Sequence, residues 1–188
     1  MSRKLFLLCF AVTVGLILPK LPGSCARACG CPPMWTGFQG MCYRYFSAES
    51  VTWQEAERQC QSFTKPCWEE GATTGQLGHL VSIHSQEEMD FLSTLFESIR
   101  NKRFTGRQLV WIGLNDLESE GSFVWSDGSD VNYTFWKSDQ PNNYDNAQHC
   151  VEYDVADDYR WNDLQCDPSP VGNGWIVGGF VCKLGQWL

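Results

Sequence analysis

Trp111-Ile112-Gly113-Leu114-Asn115-Asp116 (WIGLND) is followed, in order, by Gln140-Pro141-Asn142, Trp161-Asn162-Asp163 and Phe180-Val181-Cys182-Lys183. The run 109–114 is apolar and aromatic, the composition of a buried strand. Shorter runs of the same kind lie at 42–46, 79–83, 122–125, 150–153 and 179–182, punctuated by Gly or Asp-Gly. Upstream, Thr52-Trp53-Gln54-Glu55 reads as a capping box, with Trp53, Ala56, Cys60 and Phe63 then recurring at helical spacing. Ser85-Gln86-Glu87-Glu88 reads as a second box, opening a helix whose buried stripe is Met89, Leu92, Leu95, Phe96 and Ile99. Trp35, Trp53, Trp111 and Trp125 are expected in the core. Between residues 126 and 149 the chain is polar and aperiodic, with turns at Asp127-Gly128 and Pro141-Asn142-Asn143. A loop that long inside a compact domain is usually functional and must be held by something, a disulfide or a bound cation. The pattern predicts one α+β domain, with two helices packed on small antiparallel sheets.

The 188 residues suffice for one ordinary domain. Lys and Arg number 14 against 22 Asp and Glu. Arg3-Lys4, the apolar run 5–18 and the small-residue stretch ending Ala26-Arg27-Ala28 have the order of a secretory signal peptide. The apolar run is shorter than the about 20 residues a membrane-spanning helix needs. Residues 1–28 are therefore expected to be a leader cleaved after Ala26 or Ala28, leaving a secreted domain over 29–188 with no membrane insertion. Losing the leader removes Arg3, Lys4, Lys20 and Arg27 and no acid, which leaves 10 basic against 22 acidic residues, a net charge of −12. Such a surface repels nucleic acid and favours cations.

Of ten cysteines, Cys9 and Cys25 fall in the leader, and eight remain: Cys29, Cys31, Cys42, Cys60, Cys67, Cys150, Cys166 and Cys182. An even set in an oxidising compartment reads as a disulfide framework whose pairing spacing alone leaves open. Zinc is disfavoured, because no pair has C-x2-C spacing and His79, His84 and His149 form no H-E-x-x-H.

Taken together, the four motifs, the Trp53/Cys60 helix and the interleaved cysteines resemble a C-type lectin-like domain over 31–188. Cys31-Pro32, Trp35, Cys42-Tyr43 and GHLVSIHS at 78–85 are most similar to the echinoidin-type secreted lectins of sea urchin coelomic fluid. The resemblance implies disulfides Cys31–Cys42, Cys60–Cys182 and Cys150–Cys166. It also places Cys29 where such lectins form an interchain bridge. Cys67 lies in an extra stretch, and a Cys29–Cys67 bond and a disulfide-linked homodimer both stay open.

In this family a calcium ion shares its ligands with two sugar hydroxyls. Motif for motif, the ligands here would be Gln140, Asn142, Gln148, Asn162 and Asp163, with a cis peptide before Pro141. The chain departs from the family pattern in two places. Mannose-type members usually read Glu-Pro-Asn and galactose-type members Gln-Pro-Asp, whereas this chain reads the hybrid Gln-Pro-Asn. Gln148 also replaces the usual Glu, so Asp163 is the only anionic ligand. Extracellular calcium modules bind on the order of 10⁻⁴–10⁻³ M, and missing carboxylates weaken the site. Two amides whose oxygens face the metal can donate to the sugar from both sides. Tyr144 stands where galactose-type members stack an aromatic on the ring, so galactose or N-acetylgalactosamine is the expected sugar.

An auxiliary calcium site in the family matches Asp116 and Glu120, with Asn143 and His149 where carboxylates would help. Solvated turn acids are the plainer reading of that pair. Asn132-Tyr133-Thr134 is the one N-glycosylation sequon. No role is assigned to the insertion at 167–179. The expectation is a secreted carbohydrate-binding lectin serving agglutination or innate recognition. The alternative is an interaction module that has lost sugar binding and acts on protein or mineral surfaces. An enzyme is not expected, since no catalytic motif is present and Asp154, Asp157 and Asp158 read as a solvated acidic turn.

Overall fold

The computed structural model describes residues 30–63, 77–99, 108–167 and 176–185. Cys29, Cys67, the leader and most of the insertion after 167 lie outside them. The order is β1 (Thr36–Phe38), β2 (Met41–Ser47), α1 (Trp53–Gln61), β3 (His79–Leu80), α2 (Gln86–Ile99), β4 (Gln108–Asn115), β5 (Val124–Trp125), β6 (Cys150–Asp154), β7 (Arg160–Leu164) and β8 (Ile176–Leu184). Single turns of 3-10 helix lie at Tyr144–Asn146 and Val155–Asp157. Among the described residues no helix is long and apolar enough to cross a membrane.

The strands form one sheet in the order β1-β2-β8-β4-β6-β7, with β3 on β8 and β5 on β4. Antiparallel pairing dominates, as expected, but β4 and β8 run parallel. A parallel pair needs a long crossover. Here everything from Asp116 to the start of β8 supplies it. Both ends of the long loop meet β4 at one rung, because Asn115 pairs with Val124 on one side and Cys150 on the other.

The WIGLND stretch is the hub. Trp111 is fully buried and its Nε1 donates to Val51 O at 2.9 Å, while Trp53 Nε1 donates to Ile112 O at 2.8 Å. These two bonds fix the start of α1 against β4. Gly113 is required by close approach, since a Cβ there would lie 2.8 Å from both Leu80 O and Ser126 Oγ.

The capping box at Thr52 forms as expected, and Trp53, Ala56 and Cys60 are buried. Phe63 lies beyond the helix end, where it packs on Trp35 and Phe46. In α2, Met89, Leu92 and Phe96 are buried, but Ile99 is 48% exposed at the helix terminus. Ser85 Oγ accepts from Glu88 N at 3.2 Å. The Glu88 carboxylate turns inward instead of closing a box. It accepts from Lys183 Nζ at 2.7 Å, Tyr43 OH at 2.7 Å and His84 N at 2.8 Å.

Three disulfides staple this frame, Cys31–Cys42, Cys60–Cys182 and Cys150–Cys166, the pairings the resemblance implies. Cys60–Cys182 joins residues 122 apart and ties α1 to β8. A loop of that length corresponds to about 5 kcal/mol of unfolded-state entropy in the chain-constraint picture.

Candidate functional site

The long loop is anchored at its start. Ser126 Oγ donates to Glu57 Oε2 at 3.0 Å, and Ser82 Oγ donates to Asp127 Oδ2 at 2.5 Å. Burial works against the Glu57 carboxylate, but hydrogen bonds from His79, Leu80 N and Gln61 and the His79 charge outweigh it and lower its pKa. His79, hydrogen-bonded to Glu57 at 2.6 Å, is correspondingly raised despite partial burial, with further help from the Glu57 and Asp127 charges.

Beyond the anchor the chain turns sharply. The Gln140–Pro141 peptide is cis, and Asp139, Asn143, Asp145 and Asn146 adopt positive φ. Asn and Asp tolerate that region better than other side-chain-bearing residues, which explains the loop's composition. The turn delivers the backbone of 142–144 to β7. Asp163, fully buried, accepts from Asn142 N at 3.1 Å and Asn143 N at 2.6 Å. Tyr144 N donates to Asn142 Oδ1 at 3.0 Å and to Gln148 Oε1 at 2.9 Å, so one N–H gathers two side-chain oxygens. Asn143 Oδ1 accepts from Gln148 N at 3.1 Å and closes the turn. Asn142, Gln148 and Asp163 are thus linked by short hydrogen bonds. Asn162 is next to Asp163 on β7, and its Nδ2 donates to buried Glu152 at 3.2 Å. Gln140 precedes the cis bond, and its Oε1 is buried without a hydrogen-bond partner among the described residues. The Tyr144 ring is 67% exposed beside them.

The electrostatics single out Asp163. Six carboxylates are buried among the described residues: Glu57, Glu88, Asp116, Glu152, Asp154 and Asp163. Glu57 faces His79, Glu88 faces Lys183, Asp116 faces His149, and Asp154 faces Lys137 at 2.7 Å, with Glu152 at 4.0 Å from the same ammonium. Asp163 has no ion pair among the described residues; backbone N–H groups alone hold it. Amide oxygens keep a second lone pair after accepting one N–H. This oxygen set, with an unpartnered Gln140 Oε1, is chemically suited to a hard cation.

A second group, Asp116, Glu120 and His149, has ligand atoms within 4.8 Å of one another and could hold a metal ion. His149 Nδ1 lies 3.1 Å from Asp116 and 3.4 Å from Glu120. Asp116 is no solvated turn acid, being 2% exposed with its second oxygen accepting from Gly121 N at 2.7 Å. Asp154 likewise departs from the solvated turn read in the sequence. It is fully buried and holds Lys137 and Ala156 N, whereas Asp157 and Asp158 are exposed. Glu152 and Lys137 were missed by sequence reasoning. Only the cross-strand register, which sets Glu152 opposite Asn162, brings Glu152 to the site.

Residues 49–171 match the Lectin C-type domain family. The chain belongs to it. An alpha-N-acetylgalactosamine-specific lectin of Patiria pectinifera is 44% identical over 180 residues, covering 94% of each chain. Echinoidin of Heliocidaris crassispina is 37% identical over 157 residues, covering 84% of this chain and 98% of its own. Among solved structures, C-type lectin CEL-I from Cucumaria echinata superposes with a TM-score of 0.67 at 30% identity, covering 84% of this chain and 99% of its own. The protein is a lectin and not an enzyme, and the relatives do not favour the interaction-module alternative.

Proposed function

We propose that this protein is a secreted, Ca²⁺-dependent lectin for galactose-type sugars, with Gln140, Asn142, Gln148, Asn162 and Asp163 holding the ion. The observation that carries the reading is Asp163. A buried carboxylate without a basic partner is costly unless a cation sits beside it, and the loop whose backbone holds Asp163 brings two amide oxygens, Asn142 Oδ1 and Gln148 Oε1, onto the single Tyr144 N–H. Ca²⁺ in that place supplies a charge that polarises two sugar hydroxyls. The side-chain amides then orient the hydroxyls by donating, and the exposed Tyr144 ring offers a face for the apolar side of the sugar. N-acetylgalactosamine is favoured by Tyr144 and by the specificity named for the Patiria relative.

The remaining assignments belong to the same proposal. Residues 1–28 are a cleaved leader and 29–188 one secreted domain. Asn132, exposed, is the glycosylation site. Asp116, Glu120 and Asn143 contribute to a weaker auxiliary calcium site, with His149 in place of a carboxylate. Cys29 and Cys67 either pair with each other or link two chains; a linked dimer would raise avidity from shallow single sites.

Retention on immobilised galactose and mannose, with and without chelator, tests the reading. Retention on galactose that chelator abolishes is expected. Failure of the folded, calcium-loaded protein to bind either sugar would remove the assignment.

A further inference from the structure

We propose that Glu152 is a positioning residue for the ion site, acting through Asn162; this rests on the calcium reading above. The two residues are direct cross-strand partners in the β6/β7 ladder. Both are buried, Glu152 fully and Asn162 at 6% exposure. Asn162 Nδ2 donates to Glu152 Oε1 at 3.2 Å, and Lys137 Nζ stands 4.0 Å from the same oxygen.

An amide side chain has two faces of opposite character, and a cation accepts only the oxygen. Turned the wrong way, Asn162 would present N–H bonds to the ion. An ionised carboxylate has acceptors only, so Glu152 can hold only the amide nitrogen. It thereby keeps Oδ1 turned away from itself and available as a metal ligand. Glu152 also places a negative charge one layer behind a ligand set whose only anion is Asp163. Outer-layer groups that orient metal ligands in this way typically change metal affinity about 10–100-fold when mutated. Lys137 does not depend on Glu152 alone, because Asp154 holds it at 2.7 Å.

The test titrates the full oxidised chain with Ca²⁺ by calorimetry, comparing wild type, Glu152→Gln and the double variant Glu152→Gln/Asn162→Asp. The expectation is about 10–100-fold weaker Ca²⁺ binding in the single variant. In the double variant Ca²⁺ affinity should return to the wild-type level or above, because the glutamine amide can donate to the new carboxylate and the charge moves onto the ion. Because the new carboxylate adds charge to the ion site by itself, Asn162→Asp alone is the control: facing Glu152 it should bind Ca²⁺ more weakly than the double variant, whereas a merely structural glutamate predicts no such difference. Unchanged affinity in Glu152→Gln, or a loss that the double variant does not repair, overturns the proposal. If Glu152→Gln alone does not fold, the double variant and Asn162→Asp decide between them, with tighter Ca²⁺ binding in the double variant supporting the positioning role and equal binding overturning it. Wild-type protein that binds no Ca²⁺ would sink the site reading together with this inference. Wild-type binding with an indifferent Glu152→Gln removes the positioning role alone.

Discussion

Glu88 and Asp163 are both buried carboxylates, and each accepts backbone N–H groups, yet they are neutralised differently. Glu88 lies under α2 and takes Lys183 Nζ, Tyr43 OH and His84 N. The protein therefore carries its own counter-charge there. Asp163 lies under the long loop, with amide nitrogens of Asn142 and Asn143 and no ion pair among the described residues. The contrast separates a scaffold that is complete in itself from the site proposed to take an external cation. Buried pairs lose most when one partner is removed, because the other is left charged and unsolvated.

Substituting Lys183→Met should therefore give the largest change, about 3–5 kcal/mol of lost stability, read by urea unfolding in chelator. Its sugar retention, measured where it stays folded, should match wild type. Asp163→Asn should behave in the opposite way. Its stability in chelator should change far less than that of Lys183→Met, while Ca²⁺ binding by calorimetry falls about 100-fold or more. The same contrast is visible in melting. Adding about 10 mM Ca²⁺ should stabilise wild type by at most about 1.4–2.7 kcal/mol, and should leave Asp163→Asn unmoved. A calcium response as large in Asp163→Asn as in wild type would break the comparison.

The smallest effect concerns pH. The folded-state pKa of His79 is raised by its hydrogen bond to Glu57, so its contribution is full below the unfolded histidine pKa and fades as pH rises through the higher folded value. The folded pKa of Glu57 is lowered, so its contribution is present above the ordinary glutamate range and is lost as pH falls through the lowered value. Melting temperature should decline as pH rises above the ordinary histidine range, and His79→Asn should flatten that decline. An equal slope in both proteins would remove the pair from the anchoring of the loop.

What the sequence made legible was local. The Thr52 box, the Met89/Leu92/Phe96 stripe and the central strand rest on periodicity and caps over a few residues, and they lie where expected. β1 was not read, because three residues carry too little pattern. β7 was legible only through resemblance, since its sequence RWNDL mixes charge and aromatic without alternation. The residues proposed to hold the ion were likewise placed by motif. Their environment was not, because Asp154 and Lys137 are 17 residues apart and Glu152 meets Asn162 only through sheet register. An acidic residue in a strand gives no local sign of whether it faces solvent or a buried ammonium.

The rung at Asn115 has a consequence for how binding specificity can change. Since the excursion 126–149 leaves and rejoins the sheet on either side of one residue, its two mouths are separated by only about two strand spacings, or about 10 Å. A segment that bridges that gap keeps the ladder beneath it intact only if it also supplies the ammonium that Lys137 gives buried Asp154 and the strand contacts that Phe135 and Lys137 make with Trp161. A relative's loop can thus be exchanged between the two mouths, provided the graft brings the counter-charge for Asp154 with it.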